Sequence, residues 1–467
     1  MKSMVGMQSI RWALLILSVS MCAVAQNNPQ PQPDTTPSPA FGQTAPVLNP
    51  DNPPVTGLDE PSLELRTATR SFFSPALQVS ESANTNGGNQ LGGSDVQSIT
   101  RLLGAFDLQQ FWPKSDLYLE YLGGGAFYAN PYDVRQVQAA GLEAVTRWRT
   151  GQVTLRDSFS YLPDGSFQIG YGGVPGIGLA SGAFGIGVLG GGVPGINVND
   201  QFSSVGKVDR LANTAIIDAV QAINPRSAIT TAFGFSNAHF FDPTNTFVNS
   251  DQYTAQGGYT RLLNRHDQLG LIYGFQLFQF PQSSGGQIYN HVVNVRWSHS
   301  ITGKLSLVAG VGPQYTDLQE PGGTSHWSVS ARVQVRYKMG HTSISATYQK
   351  FTSAGSGFFG GADTQAAVLG FKHPLGRTWD LYGDLGYSHN KRLDQTFGVN
   401  ATSYNDFSAG VVFRKHLGRS YDAFGAYRFS ELAFNQTVDN AAISGRVALR
   451  HMATIGLEWH PRPTRID

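Results

Sequence analysis

Long segments in which apolar and polar residues alternate one by one are the feature that most constrains the fold of this chain. In residues 327–338 one face carries Trp, Val, Ala, Val, Val and Tyr, and the other carries Ser, Ser, Arg, Gln, Arg and Lys. Residues 268–279 and 304–317 repeat this period of two, which is typical of β-strands. Ordinary strands have about 5–6 residues, whereas a tilted strand that crosses a bilayer needs roughly 9–11. The alternation therefore predicts an all-β fold with membrane-spanning strands.

The connections between these segments also alternate in length. Eight short turns and nine longer polar or glycine-rich loops follow one another from about residue 70, including a loop near 128–136. An up-and-down antiparallel barrel has this layout, with short turns on the periplasmic side and long loops outside. Eight turns and nine loops join 18 strands and place both chain ends in the periplasm. A count of 16 is the alternative, because residues 61–82 and 205–222 alternate weakly.

Composition agrees with a membrane barrel. Charged residues make up 14% of the chain, aromatic residues 11%, and there are 54 glycines. Ordinary soluble domains contain about 25% charged residues. The mean hydropathy is −0.19, and no apolar run near 20 residues follows the N-terminal segment, which excludes membrane-spanning helices.

The first 25 residues have the layout of a secretory signal peptide. Lys2 and Arg11 precede an apolar stretch at residues 12–19, and small residues at 23–25 supply a cleavage site. Cleavage before Cys22, the only cysteine, would instead give a lipoprotein, and this alternative stays open. In the first case the mature chain has no thiol and no disulfide.

Three regions follow from these patterns. Residues 1–25 form the signal peptide, residues 26–65 a Pro-rich disordered periplasmic tail, and residues 66–467 the barrel. The tail is interpreted as a solvated spacer, with binding to peptidoglycan or another periplasmic partner as the alternative. The barrel includes a long glycine-rich loop at residues 162–208.

That glycine-rich loop contains a GxGxxG spacing at residues 185–190. Dinucleotide binding would require a helix to follow, but Gly191, Gly192 and Pro194 follow instead. The hexapeptide GGVPGI also occurs twice in this loop. We therefore expect a loop that constricts the barrel mouth or packs on its rim, with ordinary disorder as the alternative, and no cofactor.

No sequence pattern indicates catalysis. The motifs HExxH, GxSxG and the P-loop are absent, so we predict no enzyme activity, no catalytic residues and no metal site. Two histidines, His291 and His451, fall on apparently lipid-facing positions. Six others lie on separate turns at the predicted periplasmic rim, which favours a solvated role over metal binding: His266, His299, His341, His373, His416 and His460.

The face opposite the apolar one should line the lumen, and it carries arginines. They are Arg296, Arg332, Arg336, Arg414, Arg428, Arg446 and Arg450. In one interpretation they cross-link the wall through nearby acidic residues, namely Asp380, Asp384, Glu458, Glu120 and Glu143. In the other, Arg414, Arg428, Arg446 and Arg450 form an electropositive stripe that guides anions, because rings of Arg and Lys favour anions.

Two further patterns concern the C-terminal half. Residues 372–380 resemble residues 415–422, which suggests that one hairpin was duplicated. The last long amphipathic segment ends on Trp459 and resembles the signal that barrel-assembly machinery reads, although eight residues follow it here.

Together, the signal peptide, the Pro-rich tail, the long amphipathic strands and the aromatic last strand resemble Gram-negative outer-membrane β-barrel, porin-like families. In outline the chain is also similar to specific sugar porins and to exporters of acidic exopolysaccharide. The resemblance implies an outer-membrane location, contact with lipid and no nucleic-acid partner, with a homo-oligomer left open. It leaves three functions: a channel for small hydrophilic, including anionic, solutes; a conduit for an anionic polysaccharide; and a plugged structural or interaction barrel.

Overall fold

The computed structural model consists of β-strands joined by turns and loops. It describes residues 71–85, 96–129, 132–162, 209–241, 247–281, 286–302, 304–319, 323, 325–355, 357–393, 400–439 and 444–466. The predicted signal peptide, the Pro-rich tail and residues 163–208 of the glycine-rich loop lie outside these ranges. Within them, no helix is long and apolar enough to cross a membrane.

Eighteen long strands and one short strand make up the fold. They are β1 (Phe72–Thr85), β2 (Val96–Phe111), β3 (Ser115–Ala129), β4 (Tyr132–Trp148), β5 (Gly151–Leu162), β6 (Arg210–Asn224), β7 (Ser227–Phe240), β8 (Ser250–Leu262), β9 (Asp267–Gln279), β10 (Gln287–Thr302), β11 (Leu305–Leu318), β12 (His326–Met339), β13 (Thr342–Ser353), β14 (Ala362–Pro374), β15 (Trp379–Arg392), β16 (Ser403–His416), β17 (Tyr421–Asp439), β18 (Ser444–Trp459) and β19 (Thr464–Arg465).

The strands close into a barrel. Each of the strands β1 to β17 pairs antiparallel with the next strand, and β1 pairs with β18 from Leu77 opposite Trp459 to Asn84 opposite Met452. The two residues of β19 extend this seam by pairing with Phe72 and Phe73. The predicted count of 18 strands in an up-and-down antiparallel barrel is confirmed, and the weakly alternating segments supply β1 and β6.

One predicted loop is wrong. Residues 128–136 were expected to connect two strands loosely, but β3 runs to Ala129 and β4 begins at Tyr132. Their ladder continues to the pair Ala129–Tyr132, and Arg135 on β4 contacts Asp133 at 2.7 Å and Asp209 at 2.5 Å. Polar residues there belong to an ion-paired strand end.

The two turns with similar sequences share one backbone hydrogen bond. The Leu375 amide donates to the Trp379 carbonyl at 2.7 Å, and the Leu417 amide donates to the Tyr421 carbonyl at 2.9 Å. Gly376 in the first turn has a φ of 81°, a left-handed conformation that favours glycine. The shared hydrogen bond fits the repeat, and duplication of a hairpin stays a prediction.

The outward face of the barrel is apolar between two zones of aromatic side chains. Mid-strand residues such as Leu271, Val295 and Val311 are about half exposed on the monomer surface. Outward aromatic residues near the short-turn end are Trp148, Tyr259, Trp297, Trp379, Tyr421 and Trp459, and those near the loop end are Phe127, Tyr132, Tyr253, Trp327 and Phe407. An apolar band between aromatic girdles is the surface of a transmembrane β-barrel.

Polar residues on this outward face are hydrogen-bonded to one another. Asp157, which lies at an outward position on β5, accepts a hydrogen bond from Asn213 at 3.2 Å. His291 and His451 contact the hydroxyls of Tyr273 and Tyr427 through Nδ1 at 2.8 and 2.7 Å. Such pairing lowers the cost of placing polar groups towards lipid.

Candidate functional site: the barrel lumen

Strand alternation directs every second side chain into the lumen. On β10 the outward residues Val293, Val295 and Trp297 are exposed, whereas the inward residues Asn294 and Arg296 are buried. The same phase places all seven predicted arginines on the inward side. Which charges surround each arginine depends on the neighbouring strands.

Ion pairs dominate the wall formed by β15–β18, which we call the paired wall. The Arg428 guanidinium donates to both carboxylate oxygens of Asp384 at 2.8 Å. Arg414 lies 2.8 Å from Glu458 and 3.6 Å from Asp422. The cross-linking interpretation therefore describes Arg414 and Arg428, two members of the predicted stripe.

The Arg428–Asp384 pair bridges a glycine. Asp384 is in register with Gly410, and Gly410 is in register with Arg428, so the two charged residues are two strands apart. A Cβ added to Gly410 would lie 2.6 Å from Asp384 Oδ1 and 2.9 Å from Arg428 Nη2. A side chain at this position would require the two charged groups to shift.

At its short-turn end the paired wall also holds two histidines. His416 Nδ1 is 2.8 Å from Asp422 and its Nε2 is 3.2 Å from Asp380. His460 Nε2 is 3.4 Å from Asp422. A ring that faces a carboxylate at both nitrogens donates from both, which makes His416 a cation.

The last two predicted arginines contact polar neighbours. Arg450, 3% exposed, donates from Nε to Asn84 Oδ1 at 2.7 Å across the β1–β18 seam. Arg446 donates from Nε to the Phe434 carbonyl at 3.2 Å. These contacts help to hold the wall together.

A second group of ion pairs, on β3–β6, was missed by the sequence analysis. Arg156 contacts Asp218 at 2.7 Å and Glu143 at 3.6 Å. Arg147 contacts Asp116. Arg156 alternates inward like the predicted arginines, so its phase on the strand was the signal that could have found it. Of the predicted acidic partners, Glu143 belongs to this group, and Glu120 is described only in its backbone.

The wall formed by β7–β13, which we call the basic wall, carries inward cationic side chains. Its inward cations are Arg296, Arg332, Arg336 and Lys338. The described residues of these seven strands place no Asp or Glu inward. Their three strand carboxylates alternate outward and are Asp251, Asp267 and Asp317.

Two of these arginines share one row across the sheet. Arg296 is in register with Gly270 and Gly310, and Gly310 is in register with Arg332. The row has the same layout as Asp384–Gly410–Arg428, with a second arginine in place of the aspartate. Adjacent strands are about 4.8 Å apart, so the two arginine backbones lie roughly 10 Å apart.

Aromatic rings cross the lumen at the loop end of the barrel. The Phe240–Phe247 and Phe247–Phe358 centroids are 5.6 and 5.9 Å apart, and Phe358 lies 5.2 Å from Tyr404 and 5.5 Å from Phe434. Phe240 belongs to β7 and Tyr404 to β16, which are nine strands apart in a ring of 18. These five residues, which we call the aromatic bar, therefore connect opposite sides of the barrel.

Two loops supply the middle of the aromatic bar. The connection between β7 and β8 contributes Phe247, and the connection between β13 and β14 contributes Phe358 and Phe359. The Val248 amide donates to the Gly357 carbonyl at 2.7 Å and joins these loops. The constriction predicted for residues 162–208 falls on residues outside the described ranges. The aromatic bar is formed by two other loops, for which the sequence analysis predicted no constriction.

The rim histidines contact hydroxyl and carboxylate neighbours. His373 contacts the Thr342 hydroxyl at 2.7 Å, and His299 contacts Asp267 at 2.7 Å. Within the described ranges, no group of three or more His, Cys, Asp or Glu residues could hold a metal ion.

Comparisons with known proteins concern only the architecture of the chain. No protein-family model matches the chain, and no curated protein matches it in sequence. Among solved structures the chain is similar to Pseudomonas aeruginosa OpdQ, at 10% identity and a TM-score of 0.40, over 85% of this chain and 100% of that one. It is also similar to OpdK of the same organism, at 11% identity and a TM-score of 0.40, over 84% and 98%.

A third similar structure is Pseudomonas aeruginosa OccK2 (OpdF) in complex with glucuronate, at 9% identity and a TM-score of 0.41, over 85% of this chain and 98% of that one. Similarity at this level carries no conclusion about substrate. The resemblance to outer-membrane porin-like barrels is confirmed as architecture, and it rests on the closed wall of 18 antiparallel strands with an apolar outer face.

Proposed function

We propose that this protein is an outer-membrane channel for small hydrophilic solutes and that it prefers anions. The observation that carries the proposal is the row Arg296–Gly310–Arg332, in which two inward arginines lie two strands apart on one wall. Two guanidinium groups that face the lumen from one row place positive charge where an anionic solute would pass. Arginine also binds carboxylate and phosphate groups in a bidentate manner.

We assign the positive potential to the basic wall and not to the predicted stripe. Arg414 and Arg428 are compensated by Glu458, Asp422 and Asp384, so they contribute little net field. The basic wall on β10 and β12 instead biases one side of the lumen. An anion would pass between a neutralised wall and a positive one, which favours selectivity over tight binding.

Ion selectivity in planar bilayers tests this proposal. Replacing Arg332 with Gln removes one charge of the row, and Arg332→Glu rebuilds the compensated layout seen at Asp384–Gly410–Arg428. Under a salt gradient we expect the anion-to-cation permeability ratio to fall by roughly twofold for Arg332→Gln and further for Arg332→Glu.

Lys350→Gln is the matched control. Lys350 points outward and lies 3.5 Å from Asp363, so this variant changes the net charge equally without changing the lumen. An unchanged reversal potential in both Arg332 variants would reject the basic wall as the origin of selectivity. A folded wild-type barrel without conductance would reject the channel.

A closed interaction barrel is the second candidate function, and the aromatic bar favours it. Phe358 and Phe359 are fully buried, so at their level the bar excludes water from part of the lumen. A bar that fills the mouth would abolish conductance, whereas one that leaves a gap beside it would restrict the size of solutes. Conductance of the wild-type protein distinguishes these two cases.

The remaining elements of the proposal concern delivery and partners. A signal peptide at residues 1–25 would carry the chain to the periplasm, and barrel-assembly machinery would insert it through its last strand. The tail at residues 26–65 would stay in the periplasm. Assembly into a homo-oligomer is a further part of the proposal that stays open. We assign the lumen no catalytic reaction and no cofactor. Passage of an anionic polysaccharide is the alternative substrate, and inhibition of ion conductance by added polymer would support it.

A further inference from the structure

A cavity of about 460 Å³ lies on the outer side of the barrel at its short-turn end. We call it the rim pocket, and its lining residues are Asn264, Arg265, His266, Asp267, His299, Ser300 and Ile301. The turn between β8 and β9 forms one side and the end of β10 forms the other. The pocket is therefore outside the lumen and next to the membrane.

The rim pocket is held in shape by hydrogen bonds. Asn264 Oδ1 accepts from the amides of His266 and Asp267 at 2.7 and 2.9 Å, which fixes the turn. The Ser300 amide donates to the His266 carbonyl at 2.8 Å, and His266 Nδ1 donates to the Ser300 carbonyl at 3.1 Å. Both sides of the pocket are thus positioned before any ligand arrives.

The Asp267 carboxylate, which also lines the rim pocket, is held by three hydrogen bonds. Its Oδ1 accepts from Trp297 Nε1 at 3.0 Å and from His299 Nδ1 at 2.7 Å, and its Oδ2 accepts from Asn264 at 2.6 Å. His299 and His266 both donate through Nδ1, so each presents Nε2 on its other side. Arg265, exposed on the turn, adds a permanent positive charge.

Apolar side chains surround this polar pocket on the membrane side. Leu263, Leu269 and Ile301 are exposed large hydrophobic residues, and Trp297 stacks on His299 with centroids 5.3 Å apart and planes at 23°. Tryptophan at the outer surface of a barrel marks the level of the lipid headgroups. The rim pocket is therefore at the level of the headgroups of the periplasmic leaflet.

From this combination we infer that the rim pocket binds the phosphate of a membrane phospholipid whose acyl chains lie along Leu269 and Trp297. A cationic side chain such as Arg265 beside an apolar surface is an arrangement that recognises anionic headgroups in membrane proteins. A free phosphate would use the Arg265 charge but would gain nothing from the apolar border. The inference rests on the outer face lying in lipid and does not depend on channel activity.

Native mass spectrometry with the full barrel in detergent tests the inference. The probe is a phosphatidylglycerol with two long acyl chains, titrated onto delipidated protein, and the readout is the apparent Kd. We expect Arg265→Gln to weaken binding at least fivefold and Arg265→Gln with His266→Gln to weaken it further. The single variant keeps every Asn264 hydrogen bond of the turn, so folding is retained.

Arg419→Gln is the matched control, because Arg419 is an exposed arginine on another short turn of the same rim. We expect its Kd to equal that of the wild type, and we expect inorganic phosphate at millimolar concentration not to displace the lipid. Equal binding by wild type and both Arg265 variants would overturn the inference. Displacement by inorganic phosphate would overturn the assignment to a lipid. Conductance is recorded in parallel, so failure here is separable from failure of the channel proposal.

Discussion

At the scale of single residues, a glycine on the intervening strand leaves space for charged side chains two strands apart to approach each other in the lumen. Gly410 lets Asp384 and Arg428 meet over an intervening strand, and Gly310 occupies the corresponding place between Arg296 and Arg332. The same geometry yields a neutral ion pair on one wall and a doubly cationic row on the other. Identical side chains thus have different roles because their register partners differ.

The Arg428–Asp384 pair supports a stability prediction. Arg428→Gln leaves a largely buried carboxylate without its bidentate partner, so we expect the free energy of unfolding to fall by about 3 kcal/mol. The midpoint of urea unfolding in lipid vesicles, followed by tryptophan fluorescence, measures the change. Asp384→Asn combined with Arg428→Gln removes both charges and should recover most of the loss. Equal losses in the single and double variants would mean that the pair contributes no coupling energy.

At the scale of elements, the loop between β13 and β14 is shaped by glycine and filled by phenylalanine. Gly355 has a φ of 85°, and a Cβ there would lie 2.4 Å from the Phe359 carbonyl oxygen. The amides of Phe358 and Phe359 donate to the Gly355 carbonyl at 3.0 and 3.2 Å. This tight turn directs both rings into the lumen.

The aromatic bar leads to a prediction for conductance. Phe358→Ala removes the ring that joins Phe247 to Tyr404 and Phe434, so we expect larger single-channel conductance and a higher size limit in liposome swelling assays. Phe413→Ala is the control, since Phe413 is an outward, exposed ring of similar size. If both variants conduct like the wild type, the bar is not the narrowest part of the pathway.

At the scale of the whole molecule, the apolar band fixes the position of the barrel in the bilayer. Leu271 lies within the band, whereas Trp327 is the second residue of β12 at the loop end. Charged residues cost most at the centre of a bilayer and little at its interfaces.

These depths lead to a prediction for two outward variants. We expect Leu271→Arg to lower the free energy of unfolding in lipid vesicles by about 2–4 kcal/mol. The charge introduced by Trp327→Arg should lower it by less than about 1 kcal/mol, in addition to the loss caused by removing the ring. Reversible urea titrations in vesicles provide the measurement. A larger cost at Trp327 than at Leu271 would contradict a membrane centred on the apolar band.

Much of this architecture was predictable because alternation and connection length are local properties. The inward phase of Arg332 and Arg428, the outward phase of Asp157 and the count of 18 strands all follow from a period of two along each strand. The prediction of a loop at residues 128–136 was wrong because polar residues at a strand end have the composition of a loop. Their ion pairs become apparent only in the tertiary structure.

The sequence by itself determined the barrel, its strand number and the alternation of side chains between the two faces. Only the tertiary structure decided that Arg428 is neutralised by Asp384, that Arg296 and Arg332 share a row, and that loops six strands apart meet at Phe247 and Phe358. The reason is physical: alternation is set by neighbouring residues in the chain. The field at a lumen side chain is instead set by register partners and loops far away in sequence, and these become neighbours only when β1 pairs with β18 and the wall closes.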